Sequence, residues 1–180
     1  MIPISDINPA QSTPYITRFF IFFTVFVYII LQPKDGSDLF NFFYEFSAIP
    51  CEIQKGMPLS ANQFYSNNCM ANADYVIFTE KNLIFSLITA NFLHANLLHL
   101  VGNLWSFWIF GNNVEDKLGK SKFTIFLIFI GIISIGFHTF LNQESLTPIV
   151  GASGIVLSLI HISEPTRRRG IAGGGVGVEK

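Results

Sequence analysis

The sequence predicts an all-α membrane protein built as a polytopic helical bundle, and three observations carry that expectation. Half of the 180 residues are hydrophobic and only 13% are charged, with a mean hydropathy of +0.46, too apolar for an ordinary soluble domain of this length. The apolar residues gather into long uninterrupted runs of the kind that spanning helices need. The charges stand between those runs, and a net charge of −1 supplies no basic field, so nucleic-acid binding is set aside.

The first run, residues 17–31, is apolar apart from Arg18, two threonines and a tyrosine, and Pro33, Lys34, Asp35 and Gly36 close it. It reads as a retained span. A signal peptide is the competing reading, but no basic segment precedes the run and no small-x-small cleavage site follows it. From residue 34 to about 92 the chain is mixed, with Asp35, Asp38, Glu45, Glu52, Lys55, Asp74, Glu80 and Lys81 interrupting aromatic clusters around Phe40, Phe42, Phe43 and Tyr44. Most of this stretch cannot cross a bilayer. It is either a loop in the headgroup interface, where rings bury one edge and keep polar tips wet, or an ordinary loop packed on the protein. Cys51 and Cys69, the two cysteines of the chain, both fall within it, so one disulfide or two unrelated thiols are open readings.

Residues 94–112 form the expected second span, 122–141 the third, and 149–157 onward the start of a fourth. The short connection Glu115-Asp116-Lys117-Leu118-Gly119-Lys120-Ser121-Lys122 holds three lysines. The positive-inside rule therefore places it, and the N-terminus with it, in the cytoplasm, leaving 34–92 and 142–148 outside. Small residues, Gly102 with Ser106 on span two and Gly131, Ser134 and Gly136 on span three, are expected where helices approach closely in lipid.

Span two and span four then both enter from the outer face, which puts His99, Asn103 and Ser153 at a common depth. On a helix Asn103 lies one turn beyond His99 and about 40° around the axis, so the two share a face. His94 is rotated away and is expected at the rim or in a supporting position. Polar groups in a bilayer are costly unless paired or facing water, so their clustering points to a site; without a serine beside them, helix–helix glue is the reading to prefer. In Gly151-Ala152-Ser153-Gly154 the hydroxyl stands at a helix start, near unpaired N–H groups and the positive dipole end that favour an oxyanion. Gly151 and Gly154 allow a tight turn and close approach.

These residues resemble the rhomboid family of intramembrane serine proteases. The resemblance runs over roughly residues 14–157 and is sharpest at His94-Ala95-Asn96-Leu97-Leu98-His99-Leu100-Val101-Gly102-Asn103, at Phe110-Gly111-Asn112-Asn113-Val114-Glu115-Asp116 and at Gly151-Ala152-Ser153-Gly154. It implies the first four of six core helices, Ser153 as nucleophile, His99 and Asn103 as oxyanion donors, and a serine-type endopeptidase that cuts transmembrane substrates with no metal or organic cofactor. It also implies an integral, multi-pass protein of a plasma or inner membrane.

The family's general base is a histidine on the sixth span, and no such span follows here. His161, about 12 Å along the helix axis from Ser153, is out of reach, and His138 has nothing in the pattern to support it as a base. From Ser158 the chain resembles the translated read of a sequencing adapter joined to a truncated gene, with Pro165 expected to end the helix; a basic cytoplasmic tail is the alternative. Residues 1–157 are thus expected to form a partial membrane domain and 158–180 an artefactual or disordered tail, in a fragment that is inactive and aggregation-prone. The alternatives are a noncatalytic rhomboid-like binder of membrane proteins and, last, a small channel or transporter lined by the His and Asn side chains.

Overall fold

The computed structural model describes residues 12–34 and 36–172, with side chains as far as Ile162. Among these residues the chain is helical, with two isolated β-bridges, Ala48 to Ile149 and Ser60 to Val76, and no strand. Eight α-helices follow one another: α1 (Tyr15–Phe26), continued by a π-turn over Val27–Leu31, α2 (Gly36–Phe46), α3 (Pro50–Lys55), α4 (Ala61–Ser66), α5 (Leu83–Thr89), α6 (Leu97–Leu118), α7 (Lys120–Leu141) and α8 (Ser153–Ala172). Taken singly, α7 is long and apolar enough to cross a membrane. The segments Leu83–Phe92 and Leu97–Leu118 pass that test together but are bent by 85°, while Tyr15–Leu31 and Ser153–Ile162 are shorter apolar helices.

The bundle consists of α1, α6, α7 and α8 around a core of Phe20, Phe107, Phe123, Leu127, Ile155 and Leu159. Helix α1 is tied to α6 at its start and to the loop before α6 at its end. Its first N–H groups have no partners within the helix, and the Glu115 carboxylate takes them: Oε1 accepts from Ile16 N at 2.9 Å, and Oε2 accepts from Thr17 N and Thr17 Oγ1, both at 2.8 Å. An anion at a helix N-terminus also gains from the dipole. At the far end Gln32 Nε2 donates to His94 O at 2.7 Å and Gln32 Oε1 accepts from His94 N at 3.1 Å. Between these ends Gly111 gives Thr17 room, since a Cβ there would lie 3.2 Å from both Thr17 Oγ1 and Cγ2.

Several expectations about these helices change. Span two begins at Leu97, because Asn96 caps α6 by accepting from His99 N at 2.9 Å, and this leaves His94 in the preceding loop. The connection expected over 115–122 shrinks to Gly119, at φ +77° between α6 and α7. Glu115 belongs to the helix because its carboxylate is needed on α1. Helix α8 runs through Pro165 to Ala172, since one missing N–H removes one hydrogen bond and leaves neighbouring turns in place. Of the expected tail, 173–180 lies outside the described residues, as does Asp35.

Not every small residue sits at a helix contact. Gly131 packs on the Asn91 amide, and Gly154 packs on Ser134, but Gly102 and Gly136 face open space with no neighbour within 4 Å of where a Cβ would stand. Their helix faces carry exposed Leu98 and Trp105 around Gly102 and exposed Ile133 and Phe140 around Gly136, so spacing alone did not fix which side of each helix meets another.

The stretch between α1 and α6 folds as a cap with its own core: Ile49, Cys51, Leu59, Cys69 and Leu146, covered by Tyr44 and Phe64. Cys51 and Cys69 form a disulfide. Ser60 and Gln63 make a reciprocal capping box on α4. Glu52 and Lys81 form an ion pair with both side chains fully buried; Glu52 Oε1 also accepts from Leu59 N at 3.0 Å, and Lys81 Nζ donates to Tyr44 O at 2.6 Å. Burial pushes the Glu52 carboxyl above the ordinary carboxylate range and the Lys81 ammonium below the ordinary lysine value, and each partner's charge opposes the other's shift. Exposed Phe40, Tyr65 and Tyr75 remain on the outside of this packed cap.

Two measurements check these anchors. Glu115→Gln removes charge assistance from the α1 start and is expected to cost about 1.5–3 kcal/mol, the range for hydrogen bonds to charged groups, read as a lower midpoint in denaturant titration of the detergent-solubilised chain. Glu52→Gln or Lys81→Met alone leaves a buried charge unpaired and should cost about 3–5 kcal/mol, whereas the double variant should recover much of that loss. A double variant as unstable as the sum of the singles would show that the two groups do not act as a pair.

Candidate functional site

The candidate site forms where two helix N-termini meet, that of α6 and that of α8. Segment 145–151 delivers α8 to this place through three backbone hydrogen bonds: Cys51 N donates to Ser145 O at 3.0 Å, Ile149 N to Ala48 O at 2.8 Å, and Gly151 N to Ala90 O at 2.9 Å. Two of these bonds come from the cap and the third from the 3-10 turn Ala90–Phe92. Leu146 inserts into the cap core beside the disulfide. The placement of Ser153 is therefore governed by the cap as well as by the bundle.

Gly151 has φ +106°, a conformation open to glycine and strained for other residues. It is also in close contact: a Cβ would stand 2.6 Å from His99 Cε1, 2.8 Å from His99 Nε2 and 3.3 Å from Asn103 Nδ2. His99, Asn103 and the turn before Ser153 are thus brought together. Ser153 opens α8, the first intrahelical bond being Val156 N to Ala152 O at 2.9 Å. The N–H groups at this start have no partner within the helix. Ala152 and Ile155 are buried, and Ser153 is exposed. Gly154 lies against the Ser134 side chain, where a Cβ would collide with Ser134 Cβ and Oγ.

His94 is not at the rim. It is fully buried, because it precedes the Asn96 cap and the helical rotation used to place it does not apply. Its Nε2 accepts from Asn103 Nδ2 at 3.1 Å, and its Nδ1 lies 3.3 Å from Phe92 O. A carbonyl cannot donate, so Nδ1 carries the proton and Nε2 is free to accept the amide N–H. The two backbone bonds to Gln32 fix the residue, and its ring meets that of His99 edge-on at 5.1 Å between centroids. His94 therefore orients the Asn103 amide, while the half-buried His99 ring makes no hydrogen bond to a described residue.

The remaining histidines stand apart. His138 is exposed on α7, and His161 is exposed on α8 with Nδ1 2.9 Å from Leu157 O of its own helix. Ser153 Oγ has no hydrogen-bond partner among the described residues, and those residues hold no group of three or more His, Cys, Asp or Glu arranged for a metal. The sequence reading missed Gln32, Ala90 and Asn96, whereas Ser134, expected at a helix contact, does meet Gly154. Asn96 had a usable signal, a capping residue three positions before His99. Gln32 is a polar side chain closing an apolar run, which in lipid demands a partner. The Ala90 carbonyl had no signal in the sequence.

Fold and site define a helical membrane protein with a serine, two histidines and an asparagine gathered where two helices begin. Residues 81–166 match the model of the Rhomboid domain, a stretch holding α5 to α7, most of α8 and every residue of the site except Gln32. Over that stretch the chain is similar to the rhomboid family. A protein described as rhomboid from Acanthamoeba polyphaga mimivirus is 33% identical over 106 residues, 55% of this chain and 60% of that protein. Rhomboid-like protein 11, chloroplastic, of Arabidopsis thaliana is 35% identical over 79 residues, 44% of this chain and 28% of the relative. Rhomboid protease GlpG of Salmonella newport is 33% identical over 78 residues, 43% of this chain and 27% of the relative. These matches span less than two thirds of each relative. No solved structure matches.

Gly154→Ala is expected to destabilise the chain by about 1–3 kcal/mol through overpacking on α7, and Ser134→Gly in the same chain should restore most of the loss. Thermal melts of the three variants in one detergent decide it. A Gly154→Ala chain that melts with the parent would place Gly154 away from α7.

Proposed function

We propose that this chain carries the nucleophile and oxyanion site of a rhomboid-type intramembrane serine endopeptidase, and that the 180 residues by themselves do not turn over. The observation that carries the reading is the Gly151 contact, which sets the His99 ring and the Asn103 amide beside the turn that presents Ser153 at the start of α8.

In this reading Ser153 Oγ attacks the carbonyl carbon of a peptide bond in a transmembrane substrate. Its proton passes to a base as the new C–O bond forms, and the carbonyl π electrons move onto oxygen. The negative oxygen is held by helix-start N–H groups, the free N–H of the Asn103 amide and a His99 ring N–H, donors fixed before reaction and sheltered from water. Collapse expels the amine, which takes a proton, and water cleaves the resulting ester by the reverse sequence. His94, Gly151 and Gly154 are positioning residues. Family resemblance assigns the base to a histidine on a sixth core helix. No described residue serves Ser153 in that way, and this supports an inactive chain. The outer-face site and a cytoplasmic N-terminus follow from the three lysines near Gly119, and a plasma or inner membrane from the family resemblance. A noncatalytic binder of transmembrane helices is the second reading, favoured by the same unpartnered Ser153.

The test is chemical rescue. In liposomes the chain should show no proteolysis of a transmembrane substrate above Ser153→Ala. Imidazole at high concentration, as an external base, should give ester hydrolysis that Ser153→Ala abolishes, and Asn103→Ala should lower it about 10²-fold, in line with loss of one oxyanion donor. Equal imidazole-stimulated hydrolysis by the parent and by Ser153→Ala would leave the noncatalytic reading.

A further inference from the structure

Away from the serine, a cavity of about 260 Å³ opens among α1, the end of α5, α7 and α8. Its floor is the bundle core itself: Phe20 on α1, Leu127 on α7 and Ile155 on α8, each at least nine-tenths buried. Its outer lining includes Phe19, Ile88 and Ile128, all substantially exposed on a bundle that sits in lipid. The space therefore runs from the hydrocarbon-facing surface inward to the core, in contrast to a groove along one helix face.

Two polar side chains also line it, Asn91 and Thr124, and their donors are already used. Asn91 Nδ2 donates to Leu87 O at 2.8 Å and to Ile88 O at 3.3 Å, and Thr124 Oγ1 donates to Lys120 O at 3.0 Å. No side-chain donor is left seeking a ligand, so the lining suits hydrocarbon and offers no grip to a charged or strongly polar molecule. A dry apolar cavity of about 150 Å³ takes benzene, which scales to room for roughly ten carbon atoms here. The walls belong to four elements from distant parts of the sequence, which fixes the shape of the space.

We propose that this cavity is a binding site for one linear alkyl chain, roughly ten carbons of which are buried, entering from the bilayer between Phe19 and Ile128. Such a chain touches Ile155, two residues along α8 from Ser153, and so supports the helix that presents the serine. The inference does not depend on Ser153 being a nucleophile. The alkyl chain can be the tail of a membrane phospholipid or a free fatty acid, which share this chemistry.

The experiment uses the full chain in phosphatidylcholine vesicles with two photoreactive probes, a diazirine-bearing fatty acid and a phosphatidylcholine carrying the same diazirine chain. Adducts are mapped by mass spectrometry. Labelling concentrated on Phe20, Leu127 and Ile155 and lowered at least fivefold by excess unlabelled decanoic acid or unlabelled short-chain lipid is the expected result, and the probe that gives it identifies the source. Adducts on lipid-facing Ile133 and Phe137 of the same helix should not respond to competitor. Ile128→Trp, which fills the mouth, should lower labelling of the three floor residues by a similar factor. Labelling spread evenly along α7, or floor labelling that no competitor displaces, would overturn the proposal, and both readings come from the unmodified chain should the tryptophan variant fail to fold. None of these outcomes involves hydrolysis, so they stand apart from the rescue experiment.

Discussion

The close approach of Gly151 to the His99 ring is the constraint on which the rest of the site depends. With φ at +106° and no side chain, the backbone turns tightly enough to start α8 within reach of the α6 N-terminus. A larger residue would have to displace the imidazole and would also be strained by its own backbone angle. The neighbouring arrangements follow from that contact: Ala152 is buried, Ser153 becomes the first residue of a helix, and Gly154 comes against Ser134.

A contact this close requires both sides to be held, and each is held from a different quarter. On the α6 side, the run from Phe92 O through His94 to the Asn103 amide sets one tautomer and one amide orientation, and Gln32 at the end of α1 locks His94 from behind. The Glu115 carboxylate fixes the other end of α1, so the strap that holds His94 is itself anchored about 25 Å away along a 17-residue helix. On the α8 side, the cap grips segment 145–151 through Ser145, Leu146 and Ile149. The cap is kept rigid by its disulfide and by the buried Glu52–Lys81 pair. Lipid supplies no hydrogen bonds, and Gln32, His94, Asn103 and Glu115 meet that demand within the protein.

The cap also resolves the choice between an interfacial loop and a packed one. It has its own core and its own capped helix, yet leaves aromatic residues such as Phe40 and Tyr65 outside. The divide between a membrane domain and a connecting loop is therefore the wrong one for this chain, because the connecting residues make all three of the backbone bonds that place the serine segment.

What the sequence determined by itself was local. Apolar runs gave the helical membrane class, and the i, i+4 spacing of His99 and Asn103 put them on one face. The glycines around Ser153 announced a tight turn. Tertiary structure decided everything that depends on pairing between distant segments. Periodicity states which residues share a face and is silent on what that face meets, so Gly102 and Gly131 read alike although the first faces open space and the second packs on Asn91. Helical rotation left His94 open between the rim and a supporting position, because the Asn96 cap that starts α6 after it is a side-chain choice. The partners of Glu115, Gln32 and Gly151 lie 99, 62 and 61 residues away along the chain. A hydrogen bond across that separation exists because the folded chain closes the gap, and no local pattern encodes it.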